Sequence, residues 1–182
     1  MNLGFIGAGK VCHALSFYLK TKHTITGIYS KTFSNADALA QMLGAASYSD
    51  KMQLIKDSQV IFIATSDSQI QLVAEEIALS NMDLSEKSFA HLSGSLSSEI
   101  LDALHCKGAT TFSMHPAQSF SVPSLAIQNL PQTIFTIEGR RNFMQITDEL
   151  FAQFPNRRIP IATKHKSRYH IATVMLSNYL VT

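Results

Sequence analysis

The chain has little of what marks a secreted, membrane-spanning, metal-binding or nucleic-acid-binding protein. It has two cysteines, Cys12 and Cys106, too far apart for a CxxC pair or any other metal-ligand spacing. Both are expected to be reduced thiols, and no metal site is expected. No run of Lys and Arg suggests a nucleic-acid groove, and a net charge of +2 leaves no polyanion as an obvious partner. No apolar run reaches membrane-spanning length. The N-terminus has no basic segment, and Gly4, Gly7 and Gly9 interrupt its apolar start, so a signal peptide is not expected. Charged residues are only 15% against 46% hydrophobic, a balance that builds a core and argues against disorder. A cytoplasmic protein without nucleic-acid or membrane partners is expected.

Strand-like runs alternate with helical periodicity along the 182 residues. Strands are expected at Leu3–Ile6, Thr24–Tyr29, Ala45–Tyr48, Val60–Thr65, Ser88–Leu92, Thr110–Met114, Thr133–Glu138 and Arg157–Ile161. Val60–Thr65 is unbroken and apolar at its start, the pattern of a strand buried on both faces. Helices are expected at Lys10–Lys20, at Ser34–Leu43 capped by Ser34 and stopped by Gly44, at Asp67–Leu79 and at Ser97–Cys106. A further helix is expected around the apolar stripe Phe143, Ile146, Leu150 and Phe154, and Ala117–Gln132 reads as a Pro-containing loop. Repeated strand–helix units predict parallel pairing and a doubly wound, mainly parallel α/β sheet. The tail, His165–Val181, reads as a helix apolar on most of its circumference, which something must cover. We therefore expect an α/β domain over 1–162 and, over 163–182, the first helix of a C-terminal helical domain.

Gly7-Ala8-Gly9-Lys10-Val11-Cys12 follows the first strand and opens the first helix. A first glycine permits the tight turn, and a second leaves out the Cβ that would block a pyrophosphate. The helix N-terminus offers free N–H groups. This is the fingerprint of the Rossmann NAD(P)-binding fold, with Cys12 where Gly or Ala is usual. A P-loop reading of Gly4, Gly9 and Lys10 fails because Val11 stands where Ser or Thr should hold Mg²⁺. The second strand ends Ser30-Lys31-Thr32, without the acidic residue that accepts from an NAD ribose. Two hydroxyls and a lysine suit a 2′-phosphate, so NADP(H) is expected over NAD(H). Gly7, Gly9, Lys10, Val11, Ser30, Lys31, Thr32, Thr65 and Ser66 are the expected cofactor contacts.

Ligands of open α/β sheets lie beyond the carboxyl ends of the strands. Ser93 and His115 stand at two such ends, and Asp67, at a third, reads as a helix N-cap. Ser93 is a candidate substrate contact or a turn residue. His115 is a candidate proton donor or a structural histidine. His91 ranks below both. On the tail helix, Lys166, His170, Thr173 and Ser177 fall within roughly 60° of one another at about 100° per residue, with Asn178 at the margin. That stripe faces either a site or solvent. In the first case it brings Lys166, His170 and Asn178 to the substrate, above Gly9 and Ser93.

Four motifs carry a resemblance: Gly7-Ala8-Gly9; His91-Leu92-Ser93-Gly94-Ser95; Ser113-Met114-His115-Pro116-Ala117-Gln118-Ser119-Phe120; and Tyr169-His170 with Ala172, running to Ser177-Asn178-Tyr179-Leu180. With them the chain resembles Rossmann-like proteins that carry a C-terminal DUF2520 helical domain. That group is related to pyrroline-5-carboxylate reductase, F420-dependent NADP oxidoreductase and the 6-phosphogluconate dehydrogenase-like superfamily. The resemblance implies an NADP-binding domain followed by a helical domain that often dimerises; it supplies no substrate. The leading expectation is an NADP-dependent oxidoreductase acting on a small carbonyl or imine, as a homodimer through its C-terminal helices. The alternatives are a non-catalytic NADP-binding module and a prephenate-type dehydrogenase.

Overall fold

In the computed structural model, which describes residues 1–179, eight strands form one sheet. The strands are β1 (Asn2–Ile6), β2 (Thr24–Tyr29), β3 (Ala46–Tyr48), β4 (Val60–Ile63), β5 (Ser88–His91), β6 (Thr110–Pro116), β7 (Phe135–Arg140) and β8 (Arg158–Pro160). Their spatial order is β3-β2-β1-β4-β5-β6-β7-β8. The order reverses between β1 and β4, and at that switch point the loops after the two strands diverge to open a crevice.

Side chains alternate across the sheet. Leu3, Phe5, Phe62, Phe112 and Met114 point to one face, where α1 (Lys10–Leu19), α2 (Phe33–Leu43), α6 (Pro123–Asn129) and α7 (Phe143–Phe151) bring Leu15, Leu39, Ala126 and Leu150. Ile6, Ile61, Ile63 and Phe89 point to the other, against Leu54 and Ile55 of α3 (Lys51–Asp57), Ile70, Ala74 and Ile77 of α4 (Asp67–Ala78), and Leu104 of α5 (Asp102–Cys106). Phe5 and Phe62 stack at 4.9 Å between ring centroids on adjacent strands. Each such side chain contributes roughly 1.5–3 kcal/mol when buried, so the two cores hold the sheet from both sides.

Several expectations change. The helix α3 was not expected; it is capped by Asp50, whose carboxylate accepts from Met52 N–H at 2.9 Å. The expected loop after β6 contains α6, whose first residue is Pro123. β7 runs antiparallel to β6, with Pro116 opposite Phe135, while the other neighbouring strands pair in parallel, so the sheet is mainly parallel as expected. β7 reverses because the chain after β6 turns through α6 beside α1 and re-enters at the same end of the sheet, without a crossover. The Ser97–Cys106 helix is divided: Ser98–Leu101 is a 3₁₀ turn and α5 follows. Thr32, not Ser34, is the N-cap residue of α2, while Gly44 ends that helix in the left-handed conformation as expected.

After β8, a 3₁₀ turn at Thr163–His165 leads into α8 (Lys166–Tyr179). The helix is not uniformly apolar on its surroundings: Lys166 is buried, while Ile171 and Met175 are 59% and 57% exposed. Among the described residues no helix is long and apolar enough to cross a membrane, and no group of His, Cys, Asp or Glu is arranged to hold a metal.

Candidate active site

The turn after β1 is built by backbone. Gly7 has φ +115°, and its N–H donates to the Tyr29 carbonyl at 2.7 Å, tying the turn to the end of β2. A Cβ there would run into the Ala64 carbonyl oxygen at the end of β4. Gly9 differs: it is exposed, its backbone is extended, and a Cβ added to it would meet nothing within 4 Å. Gly9 is the N-cap of α1 and no side chain caps that helix. The first-turn N–H groups therefore face an open cradle, which suits a diphosphate. Cys12 is buried behind the turn, and burial raises its thiol pKa, so it is inert packing.

The other expected cofactor contacts surround this cradle unevenly. Val11 packs half-buried on the core. The Lys10 ammonium donates to the Ser121 carbonyl at 3.0 Å, bridging the glycine turn to the segment after β6. Ser30 is half-buried at the end of β2, with Lys31 and Thr32 exposed beyond it. Thr65 is half-buried past β4, and Ser66 is the N-cap of α4.

Asp67 is not the cap the sequence suggested. It is the first residue of α4, and its carboxylate accepts from the hydroxyls of Ser93 at 2.9 Å and Ser95 at 2.8 Å. Ser93 Oγ in turn accepts from Ser95 N–H at 3.2 Å and Leu96 N–H at 3.1 Å. A hydroxyl offers one donor and two lone pairs, and these bonds engage all three. Ser93 thus folds the Ser93–Leu96 loop after β5 and pins it to α4.

A polar cluster backs that loop. Lys166 Nζ donates to Ser113 Oγ at 2.5 Å, and Ser113 lies within β6 with its hydroxyl 3.5 Å from the Ser93 carbonyl. His115, near the end of β6, has Nδ1 3.3 Å from the Tyr169 hydroxyl. Its ring meets that of His170 edge-on, with centroids 6.0 Å apart. Gly94 sits beneath both imidazoles: a Cβ on it would lie 2.5 Å from His170 Nδ1 and 2.8 Å from His115 Nε2. Glycine is required there for the two rings to close on the loop. Glu138 of β7 is buried and accepts from Ser98 N–H at 2.6 Å, Ser98 Oγ at 2.8 Å and Thr163 Oγ1 at 3.2 Å. It thereby fixes the approach to α8.

The electrostatics follow from burial and like charges. Desolvation, then the Lys166 and His170 charges, hold His115 down at about 4. Desolvation and Lys166 likewise hold His91 at about 4; that ring is fully buried, accepting from Ser93 N–H at Nδ1 and facing the Ser97 carbonyl with Nε2. Both are neutral at pH 7. Desolvation lowers Lys166 to about 8, with Glu138 opposing the shift, so its ammonium form predominates at pH 7 but releases a proton readily.

Of the expected substrate-side residues, the structure brings Ser93, His115, Lys166 and His170 together. Thr173 donates its hydroxyl to the His170 carbonyl at 2.8 Å within the helix. The side chains of Ser177 and Asn178 lie outside the described residues. Sequence reasoning missed Asp67 as a loop anchor, Gly94, Ser113 and Glu138. Ser113 and Gly94 stand within motifs that were singled out, but nothing local marked their contacts.

Strand order, the switch point and the glycine cradle together define a Rossmann-like α/β protein. Residues 1–116 match the model of the Rossmann-like domain, and the chain belongs to that family. Residues 133–182 match a domain of unknown function, DUF2520. No curated protein matches the chain. Among solved structures it is similar to a Thermotoga maritima protein (27% identity, TM-score 0.72, 98% of this chain and 64% of that one). It is also similar to a candidate NADP oxidoreductase from Bacteroides fragilis (21%, TM-score 0.81, 98% and 67%). A third is a pyrroline-5-carboxylate reductase from Coxiella burnetii (14%, TM-score 0.69, 91% and 60%). The chain thus spans less than two thirds, or barely two thirds, of the lengths of these relatives.

Proposed function

We propose that the chain is the NADP(H)-binding part of an oxidoreductase that transfers a hydride to or from a small carbonyl or imine compound. The observation that carries this reading is the meeting of His115 and His170 over Gly94, with Lys166 bonded to Ser113 of the same strand as His115, at the same carboxyl edge of the sheet onto which the Gly9 cradle opens. The dinucleotide, when bound, supplies the hydride. Gly7, Gly9, Lys10 and Val11 would hold its diphosphate, Thr65 and Ser66 its nicotinamide half, and Ser30, Lys31 and Thr32 a 2′-phosphate, which favours NADP over NAD. Its resemblance to a fold seen with NADPH, as in a reductive aminase from Aspergillus terreus at 18% identity, supports the choice.

Lys166 is the proton carrier in this reading. It is charged at pH 7 yet held at about 8, so its ammonium can protonate a developing alkoxide or amine. His115 is neutral and orients rather than protonates. Ser93 shapes the loop. Residues 163–182 would open a helical domain that pairs two copies in a cytoplasmic homodimer; the exposed Ile171 and Met175 supply apolar surface for it.

The test is a fluorescence titration with NADPH and NADH, beside circular dichroism. Gly9→Val should remain folded, because its side chain enters open space, and should lose at least a hundredfold in NADPH affinity. Undiminished binding by folded Gly9→Val would overturn the cofactor assignment. NADPH consumption with panels of ketones, aldehydes and cyclic imines tests the activity. A protein that binds NADPH but consumes none with any panel would instead be a non-catalytic binding module.

A further inference from the structure

Ser113 stands where a central strand ordinarily places an apolar side chain. β6 is paired on both sides, and its Phe112 and Met114 enter the core on one face. Ser113 points to the opposite face and is fully buried. A buried hydroxyl is costly unless it is hydrogen-bonded. Its register neighbours are polar as well: His91 lies opposite it on β5 and Glu138 on β7. Partners in register share a face, so the three side chains form one buried row across three strands.

The outer members of the row are committed to the segment after β5. His91 accepts from Ser93 N–H and faces the Ser97 carbonyl. Glu138 accepts from Ser98 N–H, Ser98 Oγ and Thr163 Oγ1. Ser113, in the middle, meets α8 instead: Lys166 Nζ donates to its Oγ at 2.5 Å. Among the described residues no ion pair includes Lys166, so this hydroxyl is the described hydrogen-bond partner of a buried ammonium. The other titratable groups around it are His115 on β6, Asp67 on α4, and Tyr169 and His170 on α8 itself; none of them bonds the ammonium. A hydroxyl that accepts from an ammonium sends its own proton elsewhere. The acceptor in reach is the Ser93 carbonyl, at 3.5 Å.

We propose that Ser113 is a positioning residue: its hydroxyl holds the Lys166 ammonium between His91 and Glu138 and ties it to the Ser93–Leu96 loop. With Lys166 charged, the hydroxyl accepts from the ammonium and donates to the Ser93 carbonyl. With Lys166 neutral, the amine lone pair accepts from the hydroxyl instead, and the carbonyl is released. Strand pairing on both sides fixes the oxygen, so the hydroxyl turns while the oxygen stays. This inference rests on the reading of Lys166 as proton carrier and adds the residue that sets its place and its proton affinity.

The test follows Lys166 directly, without turnover. The full chain, labelled with ¹³C-lysine and uniformly with ¹⁵N, is titrated by NMR, and Lys166→Met identifies the Lys166 signal. In the wild type that signal should titrate near 8. Ser113→Ala, checked for folding by its melting curve, removes the acceptor but not the burial, so the proton affinity of Lys166 should fall about tenfold. Ser113→Thr keeps the oxygen and should restore it. The Gly94 N–H shares a peptide with the Ser93 carbonyl. Its resonance should follow the Lys166 midpoint in the wild type and lose most of that response in Ser113→Ala. A Lys166 midpoint that is unchanged or raised in folded Ser113→Ala would overturn the proposal. The pH dependence of NADPH consumption keeps the two readings apart. A lowered midpoint without turnover on any compound supports the placement by Ser113 and speaks against the oxidoreductase reading. Turnover with an unmoved midpoint speaks only against Ser113.

Discussion

The two ends of the crevice are made of different material. The glycine turn after β1 is a backbone device: a positive-φ Gly7 anchored on Tyr29, an uncapped helix start, and open space above Gly9. The cluster over Gly94 is a side-chain device, assembled from β5, β6, β7 and α8 through Ser93, Ser113, His115, Glu138, Lys166 and His170. Backbone groups bind a diphosphate whatever the flanking side chains are, so the first end suits a common cofactor. Side chains can change one at a time, so the second end is where specificity is set. The contrast teaches that each end should fail differently when altered.

The largest effect should come from the glycine turn itself. Gly7→Ala forces a Cβ onto the Ala64 carbonyl in a conformation that disfavours any side chain. It should destabilise the fold by roughly 3 kcal/mol or more, a fall of about 10 °C in melting temperature. Gly9→Ala, two residues on, should melt with the wild type. Differential scanning calorimetry of both variants checks this, and similar melting of the two would erase the distinction between structural and ligand-facing glycine.

The side-chain end should fail in the opposite sense, losing function while keeping stability. In the fold, burial lowers the Lys166 ammonium from its ordinary 10.5 to about 8. The unfolded chain binds the extra proton between those values. The cost of the buried ammonium is therefore fully present below pH 8 and shrinks as pH rises towards 10.5. Lys166→Met, which keeps the packing volume, should be at least as stable as the wild type at pH 7, with the gain limited to about 3 kcal/mol. Its turnover should fall by roughly 10²-fold or more, as expected for loss of a general acid. A destabilised Lys166→Met with intact turnover would make the lysine a structural residue.

Acid sensitivity should also trace to this end. His91 and His115 have folded values of about 4. With unfolded values near 6.5, the unfolded chain binds more protons between the two, so stability is complete above about pH 6.5 and lost as pH falls towards 4. Between pH 7 and 5.5 each ring should remove about 1 kcal/mol. Urea unfolding across that range is the measurement. His91→Gln, which exchanges a protonatable ring for an amide, should flatten the slope by about half, and an unchanged slope would assign the acid loss to other groups.

The difference between the two ends also explains what was legible in the sequence. Gly7-Ala8-Gly9 is local, and its strand–turn–helix setting could be read from adjacent residues. The buried run at β4 and the apolar stripe of α4 were equally plain. Asp67 was mistaken for a cap because its partners, Ser93 and Ser95, lie 26 and 28 residues away, and only the β4–β5 pairing brings them near. Ser113 and Glu138 sit inside strands, where a polar residue is hard to distinguish from an edge position. The antiparallel β7 escaped because strand periodicity has no direction. α3 escaped because Leu54 and Ile55 are adjacent and give too short a helical repeat.

The smallest effect should be at the adenosine side of the cradle, where an exposed residue sets a preference rather than binding as such. Lys31 follows β2 beside Ser30 and Thr32, with its side chain in solvent. A charge-assisted contact to a 2′-phosphate contributes roughly 1.5–3 kcal/mol, and exposure brings the expected value to the lower end. Lys31→Ala should therefore reduce NADPH affinity about tenfold and leave NADH affinity and melting temperature unchanged. Salt sharpens the test: screening length falls to about 3 Å at 1 M ionic strength, so high salt should weaken NADPH more in the wild type than in the variant. Equal losses for the two cofactors would show that Lys31 supports the loop rather than reads the phosphate. Selection at this end would then rest on Ser30 and Thr32, through neutral hydrogen bonds that salt barely affects.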